Sequence, residues 1–229
     1  MGPGHRPALR GEVPSARTGI RCSEHAPSRA LTDLCAEVAE HPTRIAVLFP
    51  AAARRVARGA GPSGDPTGLR GPTVEDLVRA ALLRTLTRAL PAPEAAEEIH
   101  DLYEYGDADE RRAVLYGLHH LDTALPEVAS IVRGLLADAL RTNDPRLIAA
   151  AAASPTQALS DDHSWRQAVL KCLFVEVPLS VVAGLDSRAD PELARMCADF
   201  AHERSAAGRP VPDDALTLLD RFPEHRTET

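Results

Sequence analysis

"DADERRAVLYGLHHLDTALPEVASIVRGLLADALR", residues 107–141, decides the fold class. It opens with Asp107 and, three residues on, Glu110, the pairing in which each side chain satisfies a free N–H at the other's position at a helix start. Pro126 marks a second start, where a missing N–H costs nothing. The stretch therefore reads as two helices and a short link, one hairpin of a helical stack.

Working outward, the same punctuation repeats. Upstream, "TVEDLVRAALLRTLTRAL" begins at Thr73 with an acid at its third helical position, and "PEAAEEIHDLYEYG" runs to Gly106. Ser28 is the expected N-cap of "SRALTDLCAEVAEH", in which Leu31, Leu34, Cys35 and Val38 share a face. "TRIAVLFPAAARRVARG" is expected to carry Pro50 in its first turn and to stop at Gly59. Downstream, Asn143 is the expected left-handed stop, and "DPRLIAAAAAS" restarts at once from Asp144 and Pro145. "DHSWRQAVLKCLFVEVP" ends at Pro178, "DPELARMCADFAHERSAAG" runs from Asp190 to Gly208, and "DDALTLLDRF" closes the series. No segment alternates as a strand does. The expected fold is all-α: an irregular stack of antiparallel helices, with hairpins of the HEAT or armadillo kind but no clean period.

Residues 1–27 are rich in Gly, Pro, Arg and Ser and read as a disordered tail; 28–222 read as one helical domain, and 223–229 as a second tail. Within the domain, 59–72 is a Gly/Pro loop, expected to be a mobile surface insertion.

Composition narrows the function classes. The chain has 229 residues, enough for one sizeable domain, and its aromatic content of 3% leaves the core to Ala, Leu, Val and Ile. A net charge of −7, with arginines interleaved among acids, excludes a nucleic-acid-binding face. Cys22, Cys35, Cys172 and Cys197 show no C-x-x-C spacing; Cys35, Cys172 and Cys197 fall among apolar residues of expected helices and read as small buried hydrophobes in a reducing compartment. No apolar run approaches a membrane span, and "MGPGHRPALRGEVPSARTG" lacks the apolar stretch of a signal peptide. A soluble cytoplasmic protein is expected.

Several polar groups invite a chemical reading. Asp107, Asp109, Glu110, Arg111 and Arg112 crowd one helix start, where capping explains the acids. Arg141 and Arg146 flank the "RTNDPR" junction with Asn143, and could hold a small anion at the new helix N-terminus. His163 stands just before Trp165, near a capping acid; His202 and Glu203 lie shortly before Gly208. His119 and His120 are consecutive and point apart on a helix, no His-x-x-x-His spacing occurs, and neither a metal nor a cofactor is expected. Neither G-x-S-x-G nor a glycine-rich phosphate loop is present. Lys171 is the only lysine in a chain that otherwise uses arginine; it sits about 100° off the face formed by Trp165, Val169, Cys172 and Leu173. A compact ammonium suits a tight polar site, so Lys171 is expected beside Asp186 or Arg188, brought back by the short link after Pro178.

"DLYEYGDADERRAVL", "LRTNDPRLIAAA", "HSWRQAVLKCLF" and "GLDSRADPELARMCADFAHERSAAGRPV", in that order and spacing, resemble EboA-type proteins. The resemblance covers about residues 29–222 and is most specific in the second half. By it, Lys171, His163, Trp165, Asp186, Arg188 and His202-Glu203-Arg204 sit at motif positions. Glu176, Ser205 and "ASPT" (153–156) depart from the family pattern. EboA-like proteins occur in bacterial secondary-metabolite clusters, beside a UbiA-type prenyltransferase, a sugar-phosphate cyclase and TIM-barrel enzymes. The resemblance implies an accessory protein that supports making or trafficking a precursor by binding one of those enzymes or a small metabolite. The competing expectation is an enzyme acting on a cyclitol or prenylated precursor. In both, the candidate pocket comprises Lys171, His163, Asp186, Arg188, Arg141, Asn143, His202 and Glu203.

Overall fold

A computed structural model describes residues 28–156 and 160–225, and all regular structure in them is helical. The all-α class read from the sequence holds. α1 (Arg29–Glu40) and α2 (Ile45–Arg55) lead into α3 (Val74–Ala89), α4 (Ala92–Glu104), α5 (Ala108–Gly117), α6 (Pro126–Arg141) and α7 (Pro145–Ala153). α8 (Asp162–Phe174), the short α9 (Leu185–Arg188), α10 (Pro191–Ala206) and α11 (Asp213–Asp220) follow.

The expected caps set most of these starts. Ser28 accepts from the Leu31 amide, and Thr73–Asp76 and Asp107–Glu110 each form a reciprocal capping box. Asp144, Asp161 and Asp190 cap α7, α8 and α10. Three boundaries differ from expectation. Pro50 lies inside α2 rather than in its first turn, because buried Ile45, Leu48 and Phe49 carry the helix back to Ile45. α2 also stops at Arg55, short of Gly59. Asn143 is not left-handed: α6 ends at Thr142, whose hydroxyl donates to the Ala139 carbonyl at 2.8 Å.

From α3 to α7, consecutive helices alternate between two rows. α3, α5 and α7 pack side by side in one, while α4 and α6 pack together in the other. Alternation makes the members of a row run parallel, so α3, α5 and α7 bring their N-termini to one edge. α3 and α5 approach closely because Gly117 has no side chain: a Cβ there would stand 2.5 Å from Leu83 Cδ1.

Two cores result. The first joins α1 to α6 with one side of α7, through Leu34, Phe49, Leu82, Ile99, Leu115, Val132, Leu147 and Ala150. The second joins the other side of α7, through Ile148, Ala149 and Ala152, to Trp165, Val169, Cys172, Leu193 and Leu218. α7 is therefore buried all round, and its alanines permit close contact on both sides.

The 59–72 loop, expected as a mobile insertion, is folded around one carboxylate. Asp65 accepts from the Thr67 amide and hydroxyl at 2.8 and 2.6 Å, and from the Leu69 and Arg70 amides at 3.0 and 2.8 Å. Leu69 packs on the second core, and buried Gly68, at φ +78, lies flat against the Arg112 guanidinium of the first. The loop thus straps the two halves together. At the other end, Pro223–His225 forms a 3-10 turn against α10, so the folded chain extends past 222. The expected tail at 1–27, with Cys22, lies outside the described residues.

Candidate functional site

The edge where α3, α5 and α7 begin holds a cleft of about 490 Å³. It is walled by Thr73 and Glu75 of the α3 start, Arg79 one turn on, Asp107, Asp109, Glu110 and Arg112 at the start of α5, and Arg146 of α7. The end of α2 (Pro50, Ala53, Arg54), Arg58 and the loop residues Pro66 and Thr67 close the remaining sides. Three helix N-termini add their partial positive charge to the same space.

Its floor is a chain of ion pairs that starts from the buried Arg112–Asp76 pair. Arg112 donates from Nε to Asp76 Oδ2 at 3.0 Å and from Nη1 to Asp109 Oδ1 at 2.9 Å. Asp76 Oδ2 also accepts from the Thr73 amide at 2.8 Å and hydroxyl at 2.9 Å, so the capping box and the ion pair share one carboxylate. Arg146 extends the chain, reaching Asp109 Oδ1 at 3.1 Å and Asp144 Oδ2 at 3.0 Å. Arg79 donates from Nε to the Phe49 carbonyl at 3.2 Å, with Glu110 Oε1 at 3.8 Å from its Nη2.

Electrostatics favours the charged forms of Arg112 and Asp144. Burial opposes the Arg112 charge, but the Asp76 and Asp109 carboxylates outweigh it and push its pKa up. Burial likewise opposes ionised Asp144, yet hydrogen bonds from Arg146 hold that carboxyl below its ordinary range. Tyr116, one turn beyond Arg112, is kept protonated by burial; its hydroxyl is the one fully buried side-chain polar atom among the described residues without a hydrogen-bond partner.

The residues singled out from the sequence do not meet in one pocket. Lys171 reaches Asn143 Oδ1 at 3.4 Å, instead of Asp186 or Arg188. Asp186 pairs with Arg221 at 3.2 Å, because α9 sits against the end of α11. Arg188 donates to Asp162 at 3.0 Å and stacks over the Trp165 indole, 4.8 Å from its centroid. Arg141 lies on the surface, 3.8 Å from Asp138. His163, His202 and Glu203 are exposed on α8 and α10. Only Lys171 with Asn143, and Arg188 with Trp165, come together. The segment linking α8 to α9 explains this: the Ala183 amide donates to the Ala152 carbonyl and the Trp165 indole to the Ala183 carbonyl, pinning the chain onto α7.

The sequence reading touched this cleft at Asp107, Asp109, Glu110 and Arg112, read as a capped helix start, and at Arg146, read as flanking an anion. It missed Asp76, Arg79, Arg54 and Arg58. The signal for Asp76 was present in the box with Thr73, but its partner lies 36 residues away.

The family model described as "Metabolite traffic protein EboA" matches residues 70–220. The chain belongs to the EboA family. The match runs from α3 to α11; α1 and α2 precede it, although they complete the first core of this EboA protein and α2 supplies one wall of its cleft. No curated protein and no solved structure matches the chain. Among the described residues, no helix is long and apolar enough to cross a membrane, and no group of His, Cys, Asp or Glu could hold a metal ion.

Proposed function

We propose that this EboA-family chain is an accessory protein of bacterial secondary metabolism that holds a small polar metabolite in the cleft and hands it between enzymes. The observation that carries this reading is the cleft at the α3, α5 and α7 N-termini: a concave, largely pre-formed polar site. The description of the family as a metabolite traffic protein agrees with it. A role in binding, not conversion, is favoured because its lining contains no His, Cys, Lys or Ser, and its buried acids already hold guanidiniums. Acid–base catalysis needs a group free to exchange a proton near neutral pH. In this proposal the protein works in the cytoplasm, beside a prenyltransferase or a sugar-phosphate cyclase of the same route.

The test is genetic. The gene is deleted and restored as wild type, as the Arg54→Gln/Arg58→Gln double variant, or as Arg146→Gln, with pathway intermediates followed by mass spectrometry. The deletion should accumulate a precursor, which the wild type clears and the cleft variants do not. Full complementation by both variants would remove the cleft from the function.

A further inference from the structure

The cleft also speaks to the chemistry of what it holds, and this step rests on the metabolite-binding reading above. Its inner wall is balanced between donors and acceptors. Asp109 uses a single oxygen, Oδ1, for both Arg112 and Arg146; Oδ2 takes no bond among the described residues, and the side chain is 54% exposed. Glu110 accepts from the Asp107 amide through Oε2, which leaves Oε1 to the longer contact with Arg79. Carboxylates with spare lone pairs beside guanidiniums with spare N–H groups suit hydroxyls, each of which donates once and accepts twice.

The rim is not balanced. Arg54 and Arg58 are exposed, and neither makes an ion pair among the described residues. The C-terminal turn of α2 favours the Arg54 cation without a carboxylate partner. Two unpaired guanidiniums at one edge, near three helix N-termini, are matched to a single dianionic group, which they can hold in fork geometry.

The lining also excludes ligands. Apolar contact comes from Pro50, Ala53 and Pro66, with no aromatic or leucine side chain, so a prenyl chain would leave water for nothing. A polyanion would meet Glu75, Asp107, Asp109 and Glu110. We infer that the cleft takes a phosphorylated polyol, its hydroxyls against Asp109 and the Arg79–Glu110 pair and its phosphate between Arg54 and Arg58.

Calorimetric titration of the full chain tests this with myo-inositol, inorganic phosphate, myo-inositol 1-phosphate, and phosphatidylcholine vesicles carrying a phosphoinositide. The free monophosphate should bind about tenfold or more tightly than either fragment. In Arg54→Gln/Arg58→Gln, whose exposed positions leave the fold intact, its affinity should fall to that of the unphosphorylated polyol. Asp109→Asn, with folding checked by circular dichroism, should weaken the polyol and the monophosphate together and leave phosphate alone unchanged. Equal affinity for phosphate and monophosphate, binding to vesicles only, or a double variant that binds like the wild type would each overturn the inference. So would the absence of binding by every probe; if the double variant still failed in the deletion strain, the metabolite reading would survive with a different ligand class.

Discussion

Arg112 reaches Asp76 across 36 residues of sequence, Nε to both carboxylate oxygens at 3.1 and 3.0 Å, with the two side chains 5% and 0% exposed. A pair removed from water this completely is costly to break from one side, because the partner's charge stays behind. Arg112→Met should therefore lower stability by about 3–5 kcal/mol, whereas Asp76→Leu/Arg112→Met should recover much of that loss. Urea unfolding of the two variants decides: a double variant no better than the single would mean that the pair together with the α3 cap on Asp76, and not the orphaned charge, carries the stability.

Asp65 offers a pH-dependent test. The Thr67 hydroxyl, then the Thr67 and Arg70 amides, hold its carboxyl at about 2 against an ordinary 3.8. Its contribution to the loop is whole above the ordinary value and is lost as pH falls toward about 2, since protonation removes the acceptor. The Thr67 and Arg70 amide resonances should titrate with a midpoint near 2. A midpoint at 3.8 would show that the carboxylate does not organise the strap.

Glu176 is the one non-glycine at positive φ among the described residues, at 61°. It ends α8, with the Val177 amide donating to the Cys172 carbonyl at 2.9 Å, a geometry that glycine fills without strain. The sequence reading already marked Glu176 as a departure from the family pattern. Glu176→Gly should stabilise the chain by about 0.5–1 kcal/mol, the left-handed strain relieved less the entropy added to the unfolded state. A fall in the melting temperature would argue that the Glu176 side chain has a role of its own.

Trp165 is 1% exposed within the second core. Trp165→Ala should cost about 3–5 kcal/mol. Thermal unfolding measures it, and a loss under about 1 kcal/mol would mean that the core can collapse into the space.

Lys171 is half-buried, and its one side-chain hydrogen bond among the described residues, to exposed Asn143, is long at 3.4 Å. Lys171→Arg and Lys171→Met should both stay within about 0.5 kcal/mol of the parent in denaturant. A larger loss would restore the tight polar site that its rarity suggested.

Helices and caps were legible because they are local. Thr73 with Asp76, and Asp107 with Glu110, announce themselves within one turn. The buried Trp165, Val169, Cys172 and Leu173 face was likewise written in its spacing. What failed needed distant partners. Asp76 looks like an ordinary capping acid until Arg112 is placed beside it, and nothing near Arg54 or Arg58 reveals that α2 ends at the mouth of the cleft. Lys171 drew attention as a rarity in composition, and composition does not say where an ammonium points. The 59–72 segment was read as a loop, which it is, but Gly and Pro signal only the absence of regular structure; they are silent on whether one acid, Asp65, gathers the amides around itself.

α7 has one more consequence. Leu147, Ala150 and Ala151 belong to one core, and Ile148, Ala149 and Ala152 to the other, so neither body of side chains can melt without stripping a face from the helix they share. The Ala183 amide, bonded to the Ala152 carbonyl at 2.9 Å, draws the following segment into the same event. The protein should behave as a single cooperative unit whose calorimetric and van't Hoff enthalpies agree, although it has two hydrophobic centres. Energy gained by a ligand at the α3–α5–α7 edge would then raise the melting point of residues around Trp165 as much as of those beside the cleft.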